Sequence, residues 1–99
     1  MNVVPEPLYV MLYASAPDVA SRAPAHFPAH LERLTAFRER GDLLLVGTFA
    51  DPQEHGSMAI FASREAAEEF ASDDPFVVNG VVASWEVRQW NELYGLPRQ

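Results

Sequence analysis

Cysteine and lysine are both missing from the 99 residues. Without a thiol there is no disulfide framework, no thiolate nucleophile and no thiolate metal site. The seven cationic side chains are all arginine, scattered at 22, 33, 38, 40, 64, 88 and 98, and they face fourteen acids for a net charge of −7. That leaves no basic stripe to track a phosphate backbone, so nucleic acid is not an expected partner. An acidic surface also repels anionic lipid, and no apolar run is long enough to span a bilayer. The first residues, MNVVPEPLYVML, lack a basic leading segment and are interrupted by Pro5, Glu6 and Pro7. They do not read as a signal peptide, and a cytoplasmic location is the default expectation. There is no glycine-rich phosphate loop or dinucleotide fingerprint, so no cofactor is expected.

What is present is the composition of a globular chain, 48% hydrophobic, 21% charged and 11% aromatic. The length suits one domain, with a core over about 8–90 and a tail over 91–99. A chain this short buries only roughly two thirds of the surface its unfolded form exposes, so a second copy would help to complete its core.

Leu8 to Ser15, LYVMLYAS, reads as a buried strand. Pro24 and Pro28 argue for a first helix that begins around Ala25 to Phe27, where a missing N–H costs nothing. Phe27, Leu31, Leu34 and Phe37 then form its apolar stripe, and Gly41 ends it as a left-handed cap. Leu43 to Phe49 and Ser57 to Ala62 read as two strands of a hairpin across the polar connection ADPQEHG. Ser63 caps a second helix whose inner face is Ala66, Ala67, Phe70 and Ala71. The last strand, VVASWEVRQW, alternates at period two, with Val81, Ala83, Trp85 and Val87 on its buried side. The order βαββαβ predicts an α+β, ferredoxin-like antiparallel sheet with both helices on one face. Its other face, with aromatics such as Tyr9, Phe49, Phe61 or Trp85, would be an exposed apolar patch that a second subunit covers, and a homodimer is expected.

Two groups of side chains could carry chemistry. In SDDPFVVNG, Pro75 disfavours helical geometry at Asp74, so Asp74 sits at a break while Asp73 closes the preceding helix. Asp74 reads as the cap of the short turn that follows, or as an acid held for catalysis. In HFPAHLERL, His26 and His30 are four apart and share a helical face. His30 borders the apolar stripe, which suits a half-buried imidazole satisfied by a carbonyl or carboxylate. A metal site would need further ligands, and the one other histidine, His55, lies in the hairpin connection with nothing in the sequence to set its distance, so no metal is expected.

The combination of PAHL, GDLLLVGTFADP, GSMAIF, REAAEEFASDDPF and NGVVASWEVRQW, in this order and spacing, resembles the YciI-like (YCII-related) family from about Leu8 to Trp90. The resemblance implies a ferredoxin-like fold pairing into a dimeric α+β barrel. It also implies a histidine and aspartate dyad, which falls on His30 of PAHL and Asp74 of DDPF; His26 and Asp73 do not match. Gly47, Gly56 and Ser57 match the pattern too, and Phe27, Gly47 and Ser57 are taken as pocket residues. Relatives often resemble RPxHL, with an arginine where this chain has Phe27, which leaves substrate charge open.

Such a dyad would let His30 act as general acid or base with Asp74 orienting it. No serine or cysteine pattern beside it offers a nucleophile. The expected chemistry is therefore proton transfer in a lyase, isomerase or dehydrohalogenase step on a small cyclic or aromatic metabolite. Replacing His30 or Asp74 by alanine is expected to abolish turnover and leave folding intact. The competing readings are a non-catalytic small-ligand or partner-binding module of the same fold, and a metal enzyme built on His26 and His30.

Overall fold

In a computed structural model the structure describes residues 6–95. Four strands, β1 (Glu6–Ser15), β2 (Leu43–Thr48), β3 (Ser57–Phe61) and β4 (Val82–Glu92), form one sheet in the order β2-β3-β1-β4. Every pairing is antiparallel. Two long helices, α1 (Val19–Glu39) and α3 (Arg64–Asp73), pack on one face, giving the ferredoxin-like α+β arrangement expected from the element order. Two single-turn helices, α2 (Pro52–His55) and α4 (Pro75–Val78), interrupt the connections. Each opens with an Asp-Pro pair, the aspartate accepting a backbone N–H as cap and the proline filling the first helical position, which needs no donor.

The core is an aromatic cluster in which the Phe37 ring of α1 meets Phe70 of α3 edge-on at 5.1 Å, and both lie against Phe61 of β3. Ala66, Ala67, Phe70 and Ala71 are buried as expected, and their small side chains let α3 approach the sheet closely. Arg33 and Arg40 fasten α1 to α3. The Arg33 guanidinium donates to the carbonyls of Glu69 and Phe70 in the last turn of α3, and Arg40 forks onto the Glu69 carboxylate. That fork holds Arg40 protonated above its usual range and Glu69 ionised below its own.

Three expectations need correction. First, α1 begins at Val19, not near residue 25, and carries Pro24 and Pro28 in its interior. The two prolines and Ala20 lie on the exposed side of the helix, where water can satisfy the carbonyls that lose a partner. Second, its buried residues are His30 and Phe37, with Leu34 packed alongside, while Phe27 and Leu31 stay 49% and 47% exposed. The inner face is thus centred on an imidazole, which a stripe drawn from apolar residues alone does not include.

Third, the uncovered sheet face is aliphatic. Direct strand partners share a face, and the pairings Tyr9 with Phe61, Met11 with Ala59 and Tyr13 with Trp85 set those residues on the helix side. Val10, Leu12, Met58 and Ile60 line the opposite face with Arg88 and Trp90, in a shallow trough of about 450 Å³. In β4, Ala83 falls outside the ladder where the register shifts beside Ser15, so alternation begins again at Ser84. Among the described residues no helix is long and apolar enough to cross a membrane.

Candidate active site

Asp74 occupies the break that Pro75 dictates. Its backbone is extended, at φ −63° and ψ 126°, between the last residue of α3 and the first of α4. Its side chain is wholly buried yet meets three polar partners. The Phe76 N–H donates to Oδ1 at 3.1 Å, His30 Nδ1 lies 2.7 Å from Oδ1, and the Tyr13 hydroxyl donates to Oδ2 at 2.7 Å. The Phe76 N–H and the Tyr13 hydroxyl thus give each oxygen one donor, and the direction of the third contact is set by the imidazole tautomer. The cap bond to Phe76 and the contact with His30 both fall on Oδ1.

His30 is 9% exposed. With Asp74 already accepting from Phe76 and Tyr13, the neutral ring is assigned the tautomer in which Nδ1 donates to Oδ1 and Nε2 keeps its lone pair. Nε2 makes no hydrogen bond among the described residues, and no buried side-chain nitrogen or oxygen there lacks a partner, so solvent reaches this atom. The Phe76 ring stacks on the imidazole at 3.8 Å between centroids and 6° between planes, and Phe70 meets it edge-on. One face of the ring is therefore sealed and its rotation blocked, while an imidazolium in this place would gain a cation–π contact.

Tyr13 is the member that the sequence reading missed. Burial, then the charge of Asp74 and the bond to it, raise its pKa well above that of a free phenol and keep the hydroxyl a donor. The signal was present in Tyr9, Met11 and Tyr13, an inward-facing alternation. A buried tyrosine in such a strand needs a partner for its hydroxyl.

The pocket residues divide. Ser57, opposite Tyr13 in the β1–β3 ladder, lines two spaces: a cavity of about 20 Å³ shared with His30, and one of about 440 Å³ under the first half of α1. Phe27 lines the larger space and leans on both His30 and Phe76. Gly47 does not reach the site. It pairs with Met58, which puts it on the uncovered face, and a Cβ there would meet nothing within 4 Å. One residue along a strand reverses the face, so proximity in sequence to Ser57's partner Thr48 is no guide. Gly56 instead earns its place, since at φ +76° a Cβ would overlap the Tyr13 carbonyl oxygen. Among the described residues no group of three or more histidine or acidic side chains is arranged to hold a metal, and His30 has already committed Nδ1 to Asp74.

The chain has clear relatives. Proteins named YciI from Escherichia coli O6:H1 and from Shigella flexneri are each 30% identical to it over 97 residues, covering 88% of this chain and 99% of theirs. A solved structure of 5-chloro-2-hydroxyhydroquinone dehydrochlorinase from Burkholderia phenoliruptrix AC1100, in complex with 2,5-dihydroxybenzoquinone, has a similar fold, with a TM-score of 0.65 at 23% identity over 84% of this chain and 92% of that one. The YCII-related domain matches residues 8–91, and with that the chain belongs to the YCII-related family.

Proposed function

We propose that this protein is an acid–base catalyst in which His30 moves a proton and Asp74 orients it, acting on a small ring compound by elimination or isomerisation. The observation that carries the reading is the 2.7 Å contact between His30 Nδ1 and a fully buried Asp74 whose other oxygen is bound by Tyr13. A carboxylate so fixed holds the imidazole in one tautomer, leaves Nε2 as the base, and stabilises the imidazolium once the proton arrives. In an elimination, the proton on the atom next to the leaving group passes to Nε2 through a bridging water, since His30 lines the small space and not the larger cavity. The freed pair forms the new double bond, the leaving group departs with its own pair, and His30 returns the proton to solvent. The dehydrochlorinase of similar fold suggests a halide as one such leaving group.

The ligand space is the 440 Å³ cavity, a size typical of small-molecule sites, which run to roughly 300–1,000 Å³. Tyr13 and Ser57 stand in the wall between it and the 20 Å³ space at His30, which has room for about one bridging water. The second element of the proposal is a homodimer. Leu45 and Trp90 on the uncovered sheet face are 66% and 52% exposed beside the aliphatic trough, and a second copy of the same face would bury both.

The test is a screen of halogenated and hydroxylated ring compounds, beginning with 5-chloro-2-hydroxyhydroquinone, for halide release or isomerisation. Loss of a positioned acid–base group costs on the order of 100- to 10,000-fold, so His30→Ala and Asp74→Asn should fall by that much while circular dichroism still reports a folded chain. If a ligand raises the melting temperature and is recovered unchanged by wild-type protein throughout the screen, the chain is a binding module and the catalytic reading is wrong.

A further inference from the structure

The large cavity has an unusual charge inventory for a chain this polar. Among the described residues no arginine and no histidine lines it, and its sole ionisable groups are Asp51 and Tyr13. The Asp51 carboxylate caps α2 by accepting the Glu54 N–H, and Tyr13 is kept protonated by burial and by Asp74. The nearest arginines have partners outside the cavity. Arg22, next to Ala23 and one turn from Val19 in its wall, pairs with Asp18 at 2.6 Å on the surface, and Arg33 donates to the end of α3. Phe27 occupies the wall at the helix position nearest the dyad. A carboxylate or phosphate entering here would lose its water and meet apolar side chains and one negative charge.

The polar groups of the wall are also mostly engaged. The Ser15 hydroxyl donates to the Pro52 carbonyl, while Gln53 donates to the Ala16 carbonyl and accepts from the Val19 N–H. Two hydroxyls are left, Thr48 and Ser57. They are direct partners across β2 and β3, so they stand side by side on the helix face, and neither side chain makes a hydrogen bond among the described residues. A neighbouring pair of neutral hydroxyls suits a ring hydroxyl or carbonyl, since each can donate or accept.

We propose that this cavity selects an uncharged, oxygenated ring compound, held through the hydroxyls of Thr48 and Ser57, and rejects carboxylated and phosphorylated analogues. The inference rests on the reading that this cavity is where the ring sits, but not on turnover, so binding and catalysis can fail separately.

The experiment is calorimetric titration of the full chain with salicylamide against salicylate and para-hydroxybenzamide against para-hydroxybenzoate. Each neutral amide should bind at least about tenfold more tightly than its carboxylate, because an anion left unpaired in an apolar wall costs more than a unit of log affinity. Thr48→Val and Ser57→Ala should each weaken the amide by roughly fivefold, the worth of one neutral hydrogen bond. Phe27→Arg should reverse the preference toward the carboxylates, and Ala23→Phe or Val19→Phe should fill the space and abolish amide binding. His30→Ala should leave amide binding in place even where turnover is lost. Equal or tighter binding of a carboxylate, or no binding of either amide at millimolar concentration, would overturn the proposal.

Discussion

The Tyr13 hydroxyl donates to Asp74 Oδ2 over 2.7 Å and ties the first strand to a carboxylate 61 residues later. Tyr13→Phe removes that donor from a buried acceptor and should cost about 1–3 kcal/mol of stability. The pH dependence follows from the raised pKa, whose main cause is burial. The folded state favours the neutral phenol, so this contribution is complete below the ordinary tyrosine value of 10.0 and is lost as pH rises above it. Urea midpoints taken from neutral pH to about 11 should decline more steeply for wild type than for Tyr13→Phe. Parallel declines would mean the phenol is not the titrating group.

Asp74→Ala should destabilise strongly, contrary to the expectation from sequence that it would leave folding intact. It strands the Tyr13 hydroxyl, the Phe76 N–H and His30 Nδ1 at a fully buried position. A loss of about 2–5 kcal/mol is expected in urea unfolding, against a smaller one for the isosteric Asp74→Asn. Equal stability of the alanine variant and wild type would show that the three bonds do not act together.

Gly56→Ala meets two penalties at once, a left-handed backbone and overlap with the Tyr13 carbonyl. Substitution at positive φ alone costs more than about 1 kcal/mol, and the overlap must add to it by displacing β1 at the residue that holds Asp74. A thermal melt unchanged from wild type would contradict the close approach of β1 and β3 at this point.

Leu45→Arg and Trp90→Arg place charge on the uncovered sheet face without touching the helix side. Light scattering should give a dimer for wild type and a monomer for the double variant, with helix content unchanged. A wild-type monomer at micromolar concentration would remove the dimer from the proposal.

Much of the architecture was legible because it depends on local periodicity. Ala66, Ala67, Phe70 and Ala71 fall on one helical face whatever surrounds them, and Pro75 excludes Asp74 from a helix by sterics within two residues. The errors arose where a tertiary contact outweighed hydropathy. Phe27 is more apolar than His30, yet His30 is the buried one because Asp74, Phe76 and Phe70 receive it. Pro24 and Pro28 argue against a helix interior, yet α1 runs through both on its solvent side.

By itself the sequence determined the order of strands and helices, the break at Asp74 and the excess of negative charge, since each follows from the residues at or beside the position concerned. Tertiary structure decided that Tyr13 and His30 share the Asp74 carboxylate, that Gly47 and Ser57 look to opposite sides of the sheet, and that no arginine or histidine among the described residues lines the cavity under α1. These depend on strand register and on how α1 is turned against α3, quantities fixed only when distant side chains compete for the same buried space.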